Sequence, residues 1–147
     1  MMKKSYEVAG KVMGFFEAFK GSKPAIDNDK ILIVRGKSRR TYPIDQLDKK
    51  LEEVGAELGG EEVDPNSNEV NAILESGDKQ IQSTEETTIP VDKSGFTRMK
   101  EELESMGLVV AYKIFKLPTC NVVVAIWEDR SEMPPLYVEV TVSEKED

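Results

Sequence analysis

The sequence predicts an α+β fold: a mostly antiparallel sheet with two packed helices and an N-terminal amphipathic helix. Two observations carry this. Apolar residues recur at helical spacing in three stretches, and β-branched runs bounded by turn residues mark the strands, three of them in the last 40 residues. At 147 residues the chain is read as one domain, 1–147, large enough to bury a core without disulfides.

In chain order, residues 1–22 hold the N-terminal helix. Val8, Val12, Phe15 and Phe19 fall on one stripe, Ser5 stands at the N-cap position, and Gly21 with Pro24 stops it. Gly10 and Gly14 inside it point to close packing or to a helix completed on docking. Lys30–Val34 reads as a strand, Gly36-Lys37-Ser38 as a turn and Arg39–Ile44 as the return strand. Asp45 caps a helix to Leu58, with Leu47, Leu51, Val54 and Leu58 on one face and Gly59-Gly60 at its end.

In the second half, Val70–Glu75 is followed by a Ser76-Gly77-Asp78 turn. A second packed helix spans about Ser94–Met106, carrying Phe96, Met99, Leu103 and Met106. The last three strands are Leu108–Phe115, Val122–Trp127 and Leu136–Val142, and residues 143–147 read as a frayed tail. Thr41–Asp45 parallels Thr88–Asp92 at an offset of 47, a faint echo of a strand–cap–helix pattern.

Composition closes many chemistries. The chain has no histidine, which removes Ser-His-Asp and Cys-His nucleophiles and nearly every zinc enzyme design. A lone cysteine, Cys120, excludes an internal disulfide and cysteine-cluster metal sites, and without a histidine to activate it the thiol reads as structural. The net charge of −8 hides a gradient. Residues 1–50 hold 12 basic and 6 acidic side chains, whereas residues 51–147 hold 8 and 22. Glutamate outnumbers aspartate 19 to 9, and Asn plus Gln number 8, a heat-adapted bias that leans toward an archaeal or viral source. No apolar run reaches the roughly 18 residues of a membrane span. Met1-Met2-Lys3-Lys4 opens no signal-peptide core, so the expected address is cytoplasmic.

Arg35, Lys37, Arg39 and Arg40 place four cations in six residues, an arrangement on a short turn that clamps phosphates or guards a sticky strand. Ile31 stands five positions before Gly36, so Gly36-Lys37-Ser38 is no P-loop. Residues 52–102 hold 14 acids against 4 bases, which read as a solvated face. Asp27-Asn28-Asp29 lacks the later residues of an EF-hand loop, with Leu32 and Ser38 in their place. No metal site and no cofactor are assigned. Tyr112, Phe115, Trp127 and Tyr137 lie on the C-terminal strands, with Tyr112 and Phe115 on opposite faces; neighbours of mixed charge predict core packing rather than base stacking.

Lys93–Val109, 17 residues running through Ser94-Gly95-Phe96-Thr97-Arg98 to Met106-Gly107-Leu108, resembles the recognition helix and first wing strand of winged-helix regulators. Ile73–Asp78 is similar to the end of their first helix. The resemblance implies a winged helix in the C-terminal half, with Ser94, Thr97 and Arg98 toward the DNA major groove and Lys113 and Lys116 flanking the wing. The second helix departs from that pattern, because Ser83–Pro90 is threonine-rich with Ile89 its one large apolar residue.

The expected function is a non-catalytic macromolecule-binding module with a protein partner or a second copy of itself. The alternatives are a nucleic-acid-binding regulator and a carboxylate, Mg²⁺-dependent hydrolase, for which the acids are present without a motif to assemble them. Val12, Phe15, Phe16 and Phe19 are the candidate interaction helix. On that reading, deleting residues 1–20 lowers the sedimentation mass and leaves the domain folded.

Overall fold

The computed structural model describes residues 3–20, 26–27, 30–39, 42–64, 67–82, 109–128 and 136–144. The helix α1 (Lys3–Phe15) leads into β1 (Ala18–Lys20), β2 (Ile26–Asp27) and β3 (Ile31–Ser38). The helix α2 (Ile44–Leu58), β4 (Glu61–Glu62) and the helix α3 (Asn68–Gln82) come next, before β5 (Val109–Lys116), β6 (Cys120–Glu128) and β7 (Leu136–Glu144). The sheet is antiparallel throughout, in the order β1-β3-β7-β6-β5-β4, with β2 also paired to β3. It is an α+β fold.

Alternation along the four long strands gives the sheet two different faces. One carries Leu32 and Val34, Phe115, Val122, Val124 and Ile126, and Leu136, Val138, Val140 and Val142, all buried. Both α1 and α2 lie on this face. From α1 come Val8, Ala9, Val12 and Met13, with Phe16 just past its end rather than the expected Phe15 and Phe19, and the α2 stripe is Leu47, Leu51 and Val54, as its spacing predicts. The second face carries Ile31, Ile33, Ile114, Val123 and Ala125, and α3 covers this end with Val70, Ile73 and Leu74.

Close approach of α2 to the sheet requires glycine at two positions. A Cβ on Gly55 would overlap the Phe115 ring, and one on Gly60 would stand 2.8 Å from Leu117. Gly59 adopts the left-handed conformation at φ 69° and closes the helix, its N–H donating to Ala56 O. Pro43, not Asp45, stands at the N-cap, and no side chain caps there; Asp45 lies in the first turn. An exposed hydrogen bond from the Tyr6 hydroxyl to Asp27 Oδ2 links α1 to β2.

Several sequence expectations are corrected. The first helix ends at Phe15 rather than running on to the stop expected at Gly21, because Glu17 turns left-handed at φ 50° and sends the chain back as β1. The Ser38 hydroxyl, donating to Phe16 O at 2.9 Å, holds that turn against β3. The expected turn at Gly36-Lys37-Ser38 does not form. β3 continues through it, paired to β7 on one side and to β1 on the other. Val70–Asp78 is helical, Gly77 lying buried inside α3, since Val70, Ile73, Leu74 and Gly77 follow helical steps. Ser143 and Glu144 are not frayed. They end β7, and Glu144 N–H donates to Lys30 O at 2.8 Å. The predicted helix 94–106, the echo at Thr88–Asp92 and residues 145–147 lie outside the described residues.

The interaction-helix reading is also altered. Val12 and Phe16 are 0% and 1% exposed and belong to the core, Phe15 packs half-buried against it, and Phe19 sits on β1. A Cβ on Gly14 would meet nothing within 4 Å, so that glycine serves no close packing. Deleting residues 1–20 therefore removes five core side chains, and the expected outcome is loss of the cooperative thermal transition rather than a folded, smaller assembly. Gly55→Ala is expected to destabilise by about 1–3 kcal/mol, because the added methyl displaces a ring with no room to move. Urea denaturation of this variant checks it, and an unchanged midpoint would contradict the α2 packing.

Candidate functional site

Beyond Ala125 the second face changes character. Strand register assembles two rows of side chains there. Arg35, Glu139, Ala125 and Tyr112 are successive cross-strand partners on β3, β7, β6 and β5. The next row runs Lys37, Tyr137 and Trp127, on β3, β7 and β6. Adjacent strands stand about 4.8 Å apart, which puts the Cβ atoms of directly opposed residues about 4.5–5.5 Å apart.

Arg35, Lys37, Tyr112, Trp127 and Tyr137 are each partly exposed, whereas Glu139 is only 2% exposed. A buried carboxylate needs a counter-charge, and Arg35 supplies it: Arg35 Nε donates to Glu139 Oε2 at 2.8 Å. The guanidinium Nη2 is buried and finds no acceptor. Lys37 Nζ stands 5.9 Å from the centroid of the Tyr137 ring, within cation–π range. Tyr112 and Trp127 pack against the apolar cluster under α3 and border the two rows. Burial pushes the Tyr112 phenol above its ordinary pKa. The result is a patch about 15 Å wide, spanning four strands, with two cations on β3 and aromatic rings on β7, β6 and β5 beside them.

Of the residues singled out in sequence, Arg35 and Lys37 enter this patch, from inside a strand rather than from a turn. Arg39 is exposed just past β3, its backbone N–H donating to Glu17 O at 3.2 Å. Arg40, Ser94, Thr97 and Arg98 lie outside the described residues, which do not bear out a winged helix. The two wing lysines are engaged elsewhere. Lys113 pairs with Glu62 on β4, and Lys116 Nζ stands 2.7 Å from Glu69 on α3, whose carboxylate raises the Lys116 pKa. Tyr137 and Trp127, expected as core packing with Tyr112 and Phe115, are partly exposed, whereas Phe115 is buried, and Glu139 was missed. The signal is the alternation of β7, where Leu136, Val138, Val140 and Val142 are interleaved with Tyr137, Glu139, Thr141 and Ser143. Among the described residues no three acidic or cysteine side chains gather to hold a metal ion. Nor is any described helix long and apolar enough to cross a membrane.

A family model described as "Uncharacterized protein conserved in archaea (DUF2120)" matches residues 7–142. The chain is similar to the uncharacterised protein MJ0491 of Methanocaldococcus jannaschii, 34% identical over 139 residues, covering 89% of this chain and 77% of that protein. No solved structure matches. An archaeal family fits the glutamate-rich composition.

Two outcomes are expected from this geometry. Arg35→Ala takes the charged partner from the buried Glu139 carboxylate and costs about 3 kcal/mol, the low end for a broken buried pair because the arginine is partly solvated; chemical denaturation reads it. The second concerns alkaline pH. Tyr6 is raised by its hydrogen bond to Asp27 and Tyr112 by burial, both from an ordinary value of 10.0. The folded chain therefore keeps protons that the unfolded chain releases. Their stabilisation is complete below pH 10 and is lost as pH rises through the folded values. Thermal melts above that pH should fall less steeply for Tyr112→Phe than for the parent chain.

Proposed function

The chain belongs to the archaeal family DUF2120, and we propose that it is a non-catalytic binding protein that docks an extended, negatively charged partner on the second face of its sheet. One observation carries this reading. Lys37, Tyr137 and Trp127 are directly opposed on three neighbouring strands, all partly exposed, beside the Arg35–Glu139 pair.

Rings held on rigid strands offer contact area at little entropic cost, which is why tyrosine and tryptophan anchor binding surfaces. Lys37, with Arg39 just beyond the strand end, supplies positive charge on a chain whose net charge is −8. That local reversal favours an anionic partner at this face and repels it elsewhere. The sequence holds no histidine to activate a serine or cysteine nucleophile, which supports binding over that chemistry.

Trp127 is the single tryptophan of the chain and lies in the patch, so its emission reports occupancy directly. The protein is titrated at low salt with single-stranded oligonucleotide, duplex DNA and poly-glutamate. A saturable change in Trp127 emission with at least one of these, lost in Lys37→Glu, is the expected result. Emission unmoved by all three would overturn the reading.

A further inference from the structure

Resting on that reading, we infer that the occupant of the face is single-stranded nucleic acid, with bases stacked on Tyr137 and Trp127 and phosphates near Lys37 and Arg39. The two rings are direct cross-strand neighbours on β7 and β6. Lys37 is Tyr137's cross-strand partner from β3 and already stands 5.9 Å from its ring centroid. A base laid on such a ring brings its own phosphate toward the cation beside it.

Three features favour this occupant over an acidic peptide. A peptide carboxylate would use the cations but leave the aromatic rings without a flat partner, whereas every base has a π-face. The patch crosses four strands, and an antiparallel face of that width stacks two or three bases in RNA-recognition folds. Arg35 is already neutralised by Glu139, so charge alone is thin here, and an occupant must draw on stacking for much of its affinity. A duplex is disfavoured because its bases are already stacked inside it. A sheet face also presents neither the helix nor the two-stranded ribbon that enters a major groove.

The salt dependence is expected to be shallow. Two cations, Lys37 and Arg39, can meet phosphates here, so log K against log salt should have a slope no steeper than about −1.4, at roughly 0.7 per contact for a single strand.

The test is fluorescence anisotropy of labelled dT12 and rU12, with a 12-base-pair duplex for comparison, on the full chain. Single strands should bind in preference to duplex with that shallow slope. Tyr137→Ala should weaken binding by roughly 5- to 150-fold, the range for loss of one stacked base, while Tyr137→Phe, which keeps the ring, should retain it. Lys37→Glu should weaken binding and flatten the slope, with thermal melts confirming that each variant is folded. Loss of binding in Tyr137→Phe as well, or equal affinity for duplex, would overturn the inference. If no oligonucleotide binds but poly-glutamate changes Trp127 emission, the inference fails while the docking face stands. If neither acts at low salt, both fail together.

Discussion

Everything in this molecule depends on the antiparallel register of β3, β7, β6 and β5. With a side-chain period of two, each strand divides its residues between faces, and a slip of one residue would exchange them all. Register puts Leu32, Val34, Val138, Val140, Val122 and Val124 under α1 and α2, a continuous apolar layer. The same register leaves Arg35, Lys37, Tyr137, Glu139 and Trp127 on the other side, where α3 packs only on the end carrying Ile31 and Ile33. The core and the candidate site are two consequences of one pairing.

The buried Glu139 sharpens that register. A carboxylate at 2% exposure is costly in any arrangement that does not bring Arg35 opposite it, so the pair penalises slipped pairings more than it stabilises the correct one. A dry, fully apolar face would serve stability at least as well. Retaining an ion pair beside three aromatic rings is understandable if the face must stay polar and ordered for a partner, in keeping with the proposed function.

The helical stripe of α2 and the last three strands were legible in the sequence because their local signals agree with their tertiary roles: Leu47, Leu51 and Val54 at helical steps, and Val122–Ile126 as a β-branched run. Where local and tertiary preferences conflict, the sequence misleads. Gly36-Lys37-Ser38 has turn composition but pairs on both sides, and partners from β1 and β7 outweigh its weak local preference. Ser76-Gly77-Asp78 likewise looks like a turn, yet Gly77 is buried within α3. At α1, the stripe through Phe15 and Phe19 was misplaced by one position, since the Glu17 turn that ends the helix has no glycine to announce it. The candidate site was legible only in fragments. Arg35 and Lys37 drew notice as cations and Tyr137 and Trp127 as aromatics, about 100 positions apart, and only strand pairing unites them.

The central claim is that Lys37, Tyr137 and Trp127 share a face, and nuclear Overhauser contacts of the single tryptophan test it most directly. The account predicts cross-peaks from the Trp127 indole to the Tyr137 ring, and from that ring to the Lys37 methylenes. Cross-peaks from the Trp127 indole to Leu136 or Val138 methyls instead would show a register slipped by one residue, and would remove the site along with the fold that builds it.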